Sequence, residues 1–186
     1  MLGEWVLDSA FNQARAWYEE GRQVQIAINI SARQFLQPGF AESIARRLRE
    51  YDIPASLIEL ELTETSIMDN HQLASAVLVE LRALGVSLSI DDFGTGYSSL
   101  AYLSAFPVDK VKIDRSFVSQ MVDAPKQQAI VLTICQLAHN LGLKVIAEGV
   151  ETDVQRELLH QYGCDYPQGY LFARPVPASE AVSLFN

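Results

Sequence analysis

Cysteines, histidines and positive charges are all scarce in this sequence, and each scarcity excludes a class of function. The two cysteines, Cys135 and Cys164, are too few for a disulfide framework and lack the spacing of a zinc site. The three histidines fall in predicted helices, away from strand ends, which argues against histidine-bound zinc. A reducing, cytoplasmic setting is therefore expected.

Basic residues are outnumbered, with 14 lysines and arginines against 23 acidic residues and a net charge of −9. Such a chain has no basic face with which to coat DNA or RNA, so no DNA partner is expected. Bound divalent cations would still allow an acidic protein to act on a phosphate ester. Neither a membrane-length apolar run nor a secretory signal pattern is present, so no membrane contact is expected for this segment.

Short β-like segments alternate with helical patterns along the whole chain, which predicts a parallel sheet built of βα units. The six predicted strands are Val24–Ser31, Leu57–Glu64, Val86–Phe93, Val108–Arg115, Leu143–Val150 and Cys164–Phe172. Pro125 suits the first turn of one helix, and Thr152 suits the N-cap of another. No linker or low-complexity segment interrupts the pattern, so residues 1–186 are expected to form one domain.

The number of units predicts part of a closed barrel. Six units of about 31 residues fill this chain, whereas a complete (β/α)8 barrel takes about 250 residues. The sequence also begins with a predicted helix, around Glu4–Glu20, before its first strand. We therefore expect a TIM-type (β/α)8 barrel that lacks its first two strands. An open doubly wound sheet is the alternative, and the absence of a glycine-rich phosphate loop weakens it.

Polar side chains share one face of the predicted strands, and apolar side chains share the other. The last polar positions of the strands are expected to meet at the C-terminal mouth of a barrel, where barrel enzymes keep their active sites. These positions are Asn29, Glu61, Asp91, Lys112, Glu148 and Gln168. Any one of them alone is more typical of a helix cap, a turn or a solvated charge.

The joint pattern favours metal chemistry, because several carboxylates buried together need compensating cations. Carboxylate and amide oxygens suit Mg²⁺ or Mn²⁺, and two such ions can promote hydrolysis of a phosphate ester. Other chemistries have less support. Asp92-Phe93-Gly94 matches a protein-kinase triplet without the accompanying kinase motifs, and no Gly-x-Ser-x-Gly elbow is present.

Six motifs in order along the chain resemble those of the EAL domain family. They are Asn29-Ile30-Ser31, Glu61-Leu62-Thr63-Glu64, the ten-residue motif from Asp91 to Leu100 (DDFGTGYSSL), Lys112-Ile113-Asp114, Ala147-Glu148-Gly149-Val150-Glu151 and Gln168-Gly169-Tyr170. The resemblance implies a (β/α)8 barrel that hydrolyses cyclic di-GMP to linear pGpG with two Mg²⁺ or Mn²⁺ ions.

The resemblance also implies roles for individual residues. The implied metal ligands are Asn29, Glu61, Asp91, Asp92 and Glu148. Lys112 resembles the lysine that orients the attacking water, Glu148 the general base or second-metal partner, and Gln168 the glutamine that steadies the cluster. Glu64 resembles the anchor of the loop Asp92–Ser99, which in the family couples the site to dimerisation.

One feature of the family is missing, because the glutamate of its naming motif should precede the Gly3–Glu20 helix. We therefore expect weak or no hydrolysis by these residues alone, and a homodimer that covers the exposed sheet edges. An upstream sensory or GGDEF-type domain is expected in the full-length protein. Two other functions remain open: a non-catalytic cyclic di-GMP receptor or interaction module, and an unrelated metal-dependent barrel hydrolase.

Overall fold

The computed structural model describes residues 2–68, 71–96 and 103–184 of the chain. Its α-helices are α1 (Leu2–Glu19), α2 (Ala32–Phe35), α3 (Phe40–Tyr51), α4 (Glu64–Met68), α5 (His71–Leu84), α6 (Arg115–Gln120), α7 (Pro125–Asn140), α8 (Asp153–Gln161) and α9 (Ala178–Ala181). Its strands are β1 (Ile26–Ile30), β2 (Ile58–Thr63), β3 (Ser87–Phe93), β4 (Lys110–Ile113), β5 (Lys144–Ala147) and β6 (Tyr166–Pro167). Short 3₁₀ turns cover Ala55–Leu57 and Val182–Leu184.

The strands form one parallel sheet in the order β1-β2-β3-β4-β5-β6, which confirms the predicted βα arrangement. Each strand lies beside its neighbour in sequence, as expected where helices connect consecutive parallel strands. Within the described residues, β1 and β6 each have one strand neighbour and form the edges of the sheet. All six strands therefore direct their C-terminal ends to the same side.

The apolar face of the sheet carries the core. Leu60, Leu88, Val111 and Val145 lie on successive strands and are fully buried. Helices cover this face with side chains such as Leu78, and burial of these apolar surfaces is the main stabilising contribution to the fold. The polar side chains of the same strands consequently lie on the opposite face, which is called the polar face below.

Helix ends follow the sequence. Pro125 occupies the first turn of α7, where its missing N–H costs no hydrogen bond. Thr152 caps α8 in a reciprocal capping box with Gln155. No helix in the described ranges is both long enough and apolar enough to cross a membrane.

The last predicted strand, Cys164–Phe172, was too long, because only Tyr166 and Pro167 pair with β5. The backbone beyond them turns, and the Phe172 N–H donates to the Gly169 carbonyl at 3.1 Å. Gly169 lies so close to β5's extension that an added Cβ would stand 2.2 Å from the Val150 carbonyl oxygen. The turn depends on this close approach between two segments, so the alternation of residues along the strand does not predict where β6 ends.

Candidate active site

A bulge in β3 brings two acidic residues to the end of the sheet. Ile90 pairs with Val111 and Phe93 with Ile113, so Asp91 and Asp92 together face the single residue Lys112. An inserted residue of this kind bends a strand and redirects its side chains.

Asp92 adopts a left-handed backbone conformation, with φ at 55°, and its N–H donates to Asp91 Oδ1 at 3.0 Å. The Thr95 hydroxyl donates to the Asp92 carbonyl at 2.8 Å and holds the turn that follows. Partial burial and the charges of Asp91 and Asp114 raise the pKa of Asp92. This carboxylate therefore lies beside other negative charges and would gain from a nearby cation.

Lys112 lies at the centre of the site and contacts carboxylates from three other strand ends. Its Nζ is 2.9 Å from Glu61 Oε1, 3.1 Å from Asp91 Oδ1 and 2.7 Å from Glu148 Oε1. The Lys112 and Glu61 side chains are 5% and 8% exposed, whereas Glu148 is 26% exposed. The cluster thus runs from a buried floor at Glu61 to an accessible rim at Glu148.

The charges in this cluster depend on one another. Burial acts to lower the pKa of Lys112, but hydrogen bonds with Glu148 and Glu61 and the charge of Asp91 outweigh it and raise the pKa above its usual value. Burial raises the pKa of Glu61, and contact with Lys112 only partly reverses this effect. Lys112 therefore remains an ammonium ion that compensates the buried carboxylates.

Each carboxylate in the cluster has an oxygen to spare. Glu61, Asp91 and Glu148 each contact Lys112 through one oxygen, and their second oxygens have no hydrogen-bond partner among the described residues. Within those residues, no three acidic, histidine or cysteine side chains surround one point closely enough to hold a metal ion. The donor set fits a hard divalent cation in its chemistry, and binding would require the carboxylates to turn toward the ion.

The two predicted residues on the edge strands lie beside the cluster without joining it. Asn29 is in register with Glu61 but is exposed, and its side chain makes no hydrogen bond within the described part of the chain. Gln168 is also exposed and shares a 220 Å³ pocket with Glu148, Arg115 and Tyr170. Backbone bonds hold Gln168 in place, since its N–H donates to the Ala147 carbonyl at 2.8 Å.

Glu64 contacts the loop that follows β3. Its Oε2 accepts a hydrogen bond from the Gly94 N–H at 3.1 Å, and an added Cβ on Gly96 would stand 3.0 Å from its Oε1. Glu64 is 3% exposed, so this contact is well shielded from water. The remainder of the predicted loop, residues 97–99, lies outside the described residues.

Sequence reasoning missed a second buried ion pair, in which Lys110 Nζ lies 2.5 Å from Glu59 Oε2. The alternating pattern places both residues on the polar face, where Glu59 lies two residues before Glu61 and Lys110 two residues before Lys112. Two glutamates two residues apart on β2 and two lysines two residues apart on β4 form a repeated charge pattern, and this pattern predicts a second pair beside Lys112 and Glu61.

Neither cysteine is suited to act as a catalytic nucleophile. Burial raises the pKa of Cys135 to about 12 and that of Cys164 to about 11, so neither is a ready nucleophile at neutral pH.

Comparison with known proteins gives close relatives. The chain is 43% identical over 183 residues to the bifunctional diguanylate cyclase/cyclic di-GMP phosphodiesterase MucR of Pseudomonas aeruginosa, covering 98% of this chain and 27% of MucR. It is 39% identical over 177 residues to the cyclic di-GMP phosphodiesterase PdeR of Escherichia coli, covering 95% of this chain and 27% of PdeR. The chain thus spans about a quarter of the length of these curated relatives.

Solved structures agree with these relatives. The PaMucR phosphodiesterase in complex with c-di-GMP superposes with a TM-score of 0.93 at 43% identity, covering 96% of this chain and 73% of that one. The manganese/cy-diGMP complex of Klebsiella pneumoniae BlrP1 gives a TM-score of 0.83 at 33% identity, covering 93% of this chain and 45% of BlrP1. The six-stranded sheet therefore has the arrangement found in EAL TIM-barrel domains.

The EAL domain model matches residues 1–175, which include all six strands and every residue of the Lys112 cluster. Sequence, sheet topology and structural similarity agree, and the chain belongs to the EAL domain family.

Proposed function

We propose that this chain is the larger part of a cyclic di-GMP phosphodiesterase domain, which hydrolyses one phosphodiester bond to give linear pGpG. The observation that carries the proposal is the contact of Lys112 with Glu61, Asp91 and Glu148, each from a different strand end. The c-di-GMP complex of PaMucR and the named activity of PdeR support the choice of ligand.

The proposed ligands of Mg²⁺ or Mn²⁺ are Asn29, Glu61, Asp91, Asp92 and Glu148. The spare carboxylate oxygens and the hard-oxygen character of this set support the assignment. The manganese complex of BlrP1 supports a divalent ion in a relative of this chain. When bound, two such ions make water more acidic and stabilise negative charge on the phosphate oxygens.

The chain's own side chains are proposed to orient the attacking water and to accept its proton. Lys112 has three N–H donors and contacts three carboxylates, so an N–H becomes available to orient a water when a carboxylate turns toward a bound ion. Glu148 is the most exposed of these carboxylates and is proposed to accept a proton from a water beside Lys112. Gln168, which lines the same pocket as Glu148, is proposed to steady that carboxylate.

The 186 residues contain no Glu-Ala-Leu sequence, and the family resemblance assigns a metal-binding glutamate to that motif. We therefore propose that these residues alone hold the ions weakly and form pGpG slowly. We also propose a dimer that covers the edges of β1 and β6, because the outer backbone groups of these strands lack a strand partner in the described sheet.

The decisive experiment follows pGpG formation by chromatography, with Mn²⁺, with Mg²⁺ and with a chelator. This chain is compared with a polypeptide that also supplies the Glu-Ala-Leu segment, and Lys112→Met serves as the inactive control. Metal-dependent pGpG from the longer form, lost in Lys112→Met, is the expected result. Absence of pGpG from both forms would reject the phosphodiesterase, and rapid turnover by the shorter form would reject its proposed weakness.

A non-catalytic cyclic di-GMP receptor is the second candidate, because the 220 Å³ pocket lined by Arg115, Glu148, Gln168 and Tyr170 could bind a ligand without hydrolysing it. Calorimetry with cyclic di-GMP separates the two functions. Binding by both forms with no pGpG from either would identify a receptor.

A further inference from the structure

The Glu59–Lys110 pair lies on the polar face below the Lys112 cluster, toward the start of the strands. The Glu59 side chain is 4% exposed, and its Oε2 is 2.5 Å from Lys110 Nζ. Lys110 also donates to Gln25 Oε1 at 2.8 Å, and its Nζ lies 5.9 Å from the centre of the Tyr166 ring. Three groups therefore hold this ammonium near the lower end of the sheet.

The strand register places Lys110 at a different level from the carboxylate that it contacts. Lys110 on β4 is in register with Ser89 on β3, and Ser89 is in register with Glu61 on β2. Glu59 lies two residues before Glu61 on the same face of β2. Lys110 therefore lies level with Glu61 and bonds to Glu59, two residues earlier on β2.

Little separates Lys110 from Glu61. Ser89, the residue between them, is small and fully buried, and its Oγ has no hydrogen-bond partner in the described ranges. The backbones of β2 and β4 are two strand spacings apart, or about 10 Å. Lys112 crosses the same gap with the same backward offset, because it faces Asp91, which is in register with Thr63, and contacts Glu61, two residues before Thr63, at 2.9 Å. A lysine on β4 thus has the reach to bond a glutamate on β2.

We propose that Glu59 is a positioning residue that holds Lys110 away from Glu61. The inference rests on the proposed metal-binding role of Glu61. With Glu59 in place, one ammonium contacts Glu61, and one carboxylate oxygen stays available to a cation. A second ammonium on Glu61 would occupy that oxygen and repel a divalent ion.

The test begins with crystal structures of the metal-free parent and of Glu59→Gln. The variant removes the charge and keeps the shape, so Lys110 Nζ is expected to move to about 3 Å from Glu61. Mn²⁺ binding, measured by calorimetry or electron paramagnetic resonance, is expected to weaken about tenfold. Should Glu59→Gln fail to fold, Glu59→Met removes the same charge and is expected to give the same displacement.

Two further variants separate positioning from stability. Lys110→Met leaves Glu59 buried without its cation, so the melting temperature is expected to fall while Mn²⁺ affinity stays within about twofold of the parent. In the double variant Glu59→Gln/Lys110→Met the competing ammonium is gone, and parental Mn²⁺ affinity is expected to return. Lys144→Met, at the register position beside Lys110 on β5, controls for the loss of one positive charge.

Two outcomes would overturn the proposal. One is a Glu59→Gln structure in which Lys110 stays with Gln25 and Mn²⁺ affinity is unchanged. The other is equal weakening of Mn²⁺ binding by Glu59→Gln and Lys110→Met, because a purely structural pair would behave in that way. Neither result depends on pGpG formation, so failure of this inference can be distinguished from failure of the phosphodiesterase proposal. If the parent binds no Mn²⁺, the position of Lys110 in the crystal structure of Glu59→Gln decides whether the proposal holds.

Discussion

In the middle strands β2 to β5, the strand-end side chains contact one another, whereas on the edge strands β1 and β6 they stand apart. Glu61, Asp91 and Glu148 all contact Lys112, and these four residues are buried or half-buried. Asn29 and Gln168 occupy equivalent strand ends and are exposed. A middle strand has neighbours on both sides, which exclude water and supply partners, and an edge strand in the described sheet has only one.

The comparison teaches that the same polar pattern has different energetics at the centre and at the edge of a sheet. At the centre, removing one charge leaves its buried partners uncompensated, which is costly. At the edge, water replaces what a substitution removes. Effects on turnover should therefore be large and coupled in the middle strands, with a large loss of stability at the buried residues, and effects should be small and independent at the edges.

The largest effect is expected for Lys112→Met, in whichever polypeptide forms pGpG faster. Turnover should fall about 10²- to 10³-fold, as for loss of a fixed donor in other active sites. The free energy of unfolding should fall by about 3 kcal/mol, because the carboxylates lose their shared cation. Chromatography of pGpG and denaturant unfolding measure the two effects. Lys144→Met removes an exposed lysine as the control, and turnover of Lys112→Met within about threefold of the parent would contradict the prediction.

Glu148→Gln should follow, with a decrease in kcat of about 10²-fold and little change in KM. Its stability cost should be below about 1 kcal/mol, because the Glu148 side chain is partly exposed. Combined with Lys112→Met, it should show clear non-additivity, since the two side chains are in contact. Additive losses of kcat in the double variant would contradict the coupling of Lys112 and Glu148 in one cluster.

In these 186 residues, where β1 and β6 each have one strand neighbour in the described sheet, Asn29→Ala and Gln168→Ala should each weaken turnover by about tenfold or less, with stability almost unchanged. Their losses should add in the double variant, because neither side chain has a hydrogen-bond partner in the described structure. Steady-state kinetics of the two single variants and the double variant provide the measurement. A loss as large as that of Lys112→Met at either position would show that the edges belong to the coupled cluster.

The smallest effect is expected at the start of the edge strand β6. Asp165 accepts hydrogen bonds from Lys144 at 2.7 Å and the Val145 N–H at 2.9 Å, and it contacts His139. Burial acts to raise the pKa of Asp165, but these contacts outweigh it and leave the pKa below its usual value. A lowered folded-state pKa contributes stability above the usual Asp value near 4, and this contribution is lost as pH falls through the folded-state value.

Asp165→Asn should therefore cost less than about 1 kcal/mol at pH 7, since its partner Lys144 is well exposed. The difference from the parent should shrink below about pH 4, where the parent carboxylate becomes protonated. Urea unfolding at pH 7 and pH 3 measures this change. A difference that grows as the pH is lowered would contradict the assigned sign.

Much of the architecture was predictable because alternation along a strand is local. The period-2 pattern in β2 alone indicates that Glu59 and Glu61 share the face opposite Leu60, and the structure has Leu60 fully buried in the core. The short β6 was not predictable in the same way. Its end depends on how closely Gly169 approaches Val150, a contact between segments that the strand pattern does not describe.

The parallel βα order, the polar face and the set of strand-end residues can all be read from the sequence, because each follows from local spacing and residue type. The partners of those residues depend on tertiary structure. The register of strands far apart in sequence places Lys112 among Glu61, Asp91 and Glu148, and places Lys110 level with Glu61 but bonded to Glu59. Burial then depends on whether a strand has neighbours on both sides, and for that reason one polar pattern yields a coupled cluster at the centre and exposed side chains at the edges.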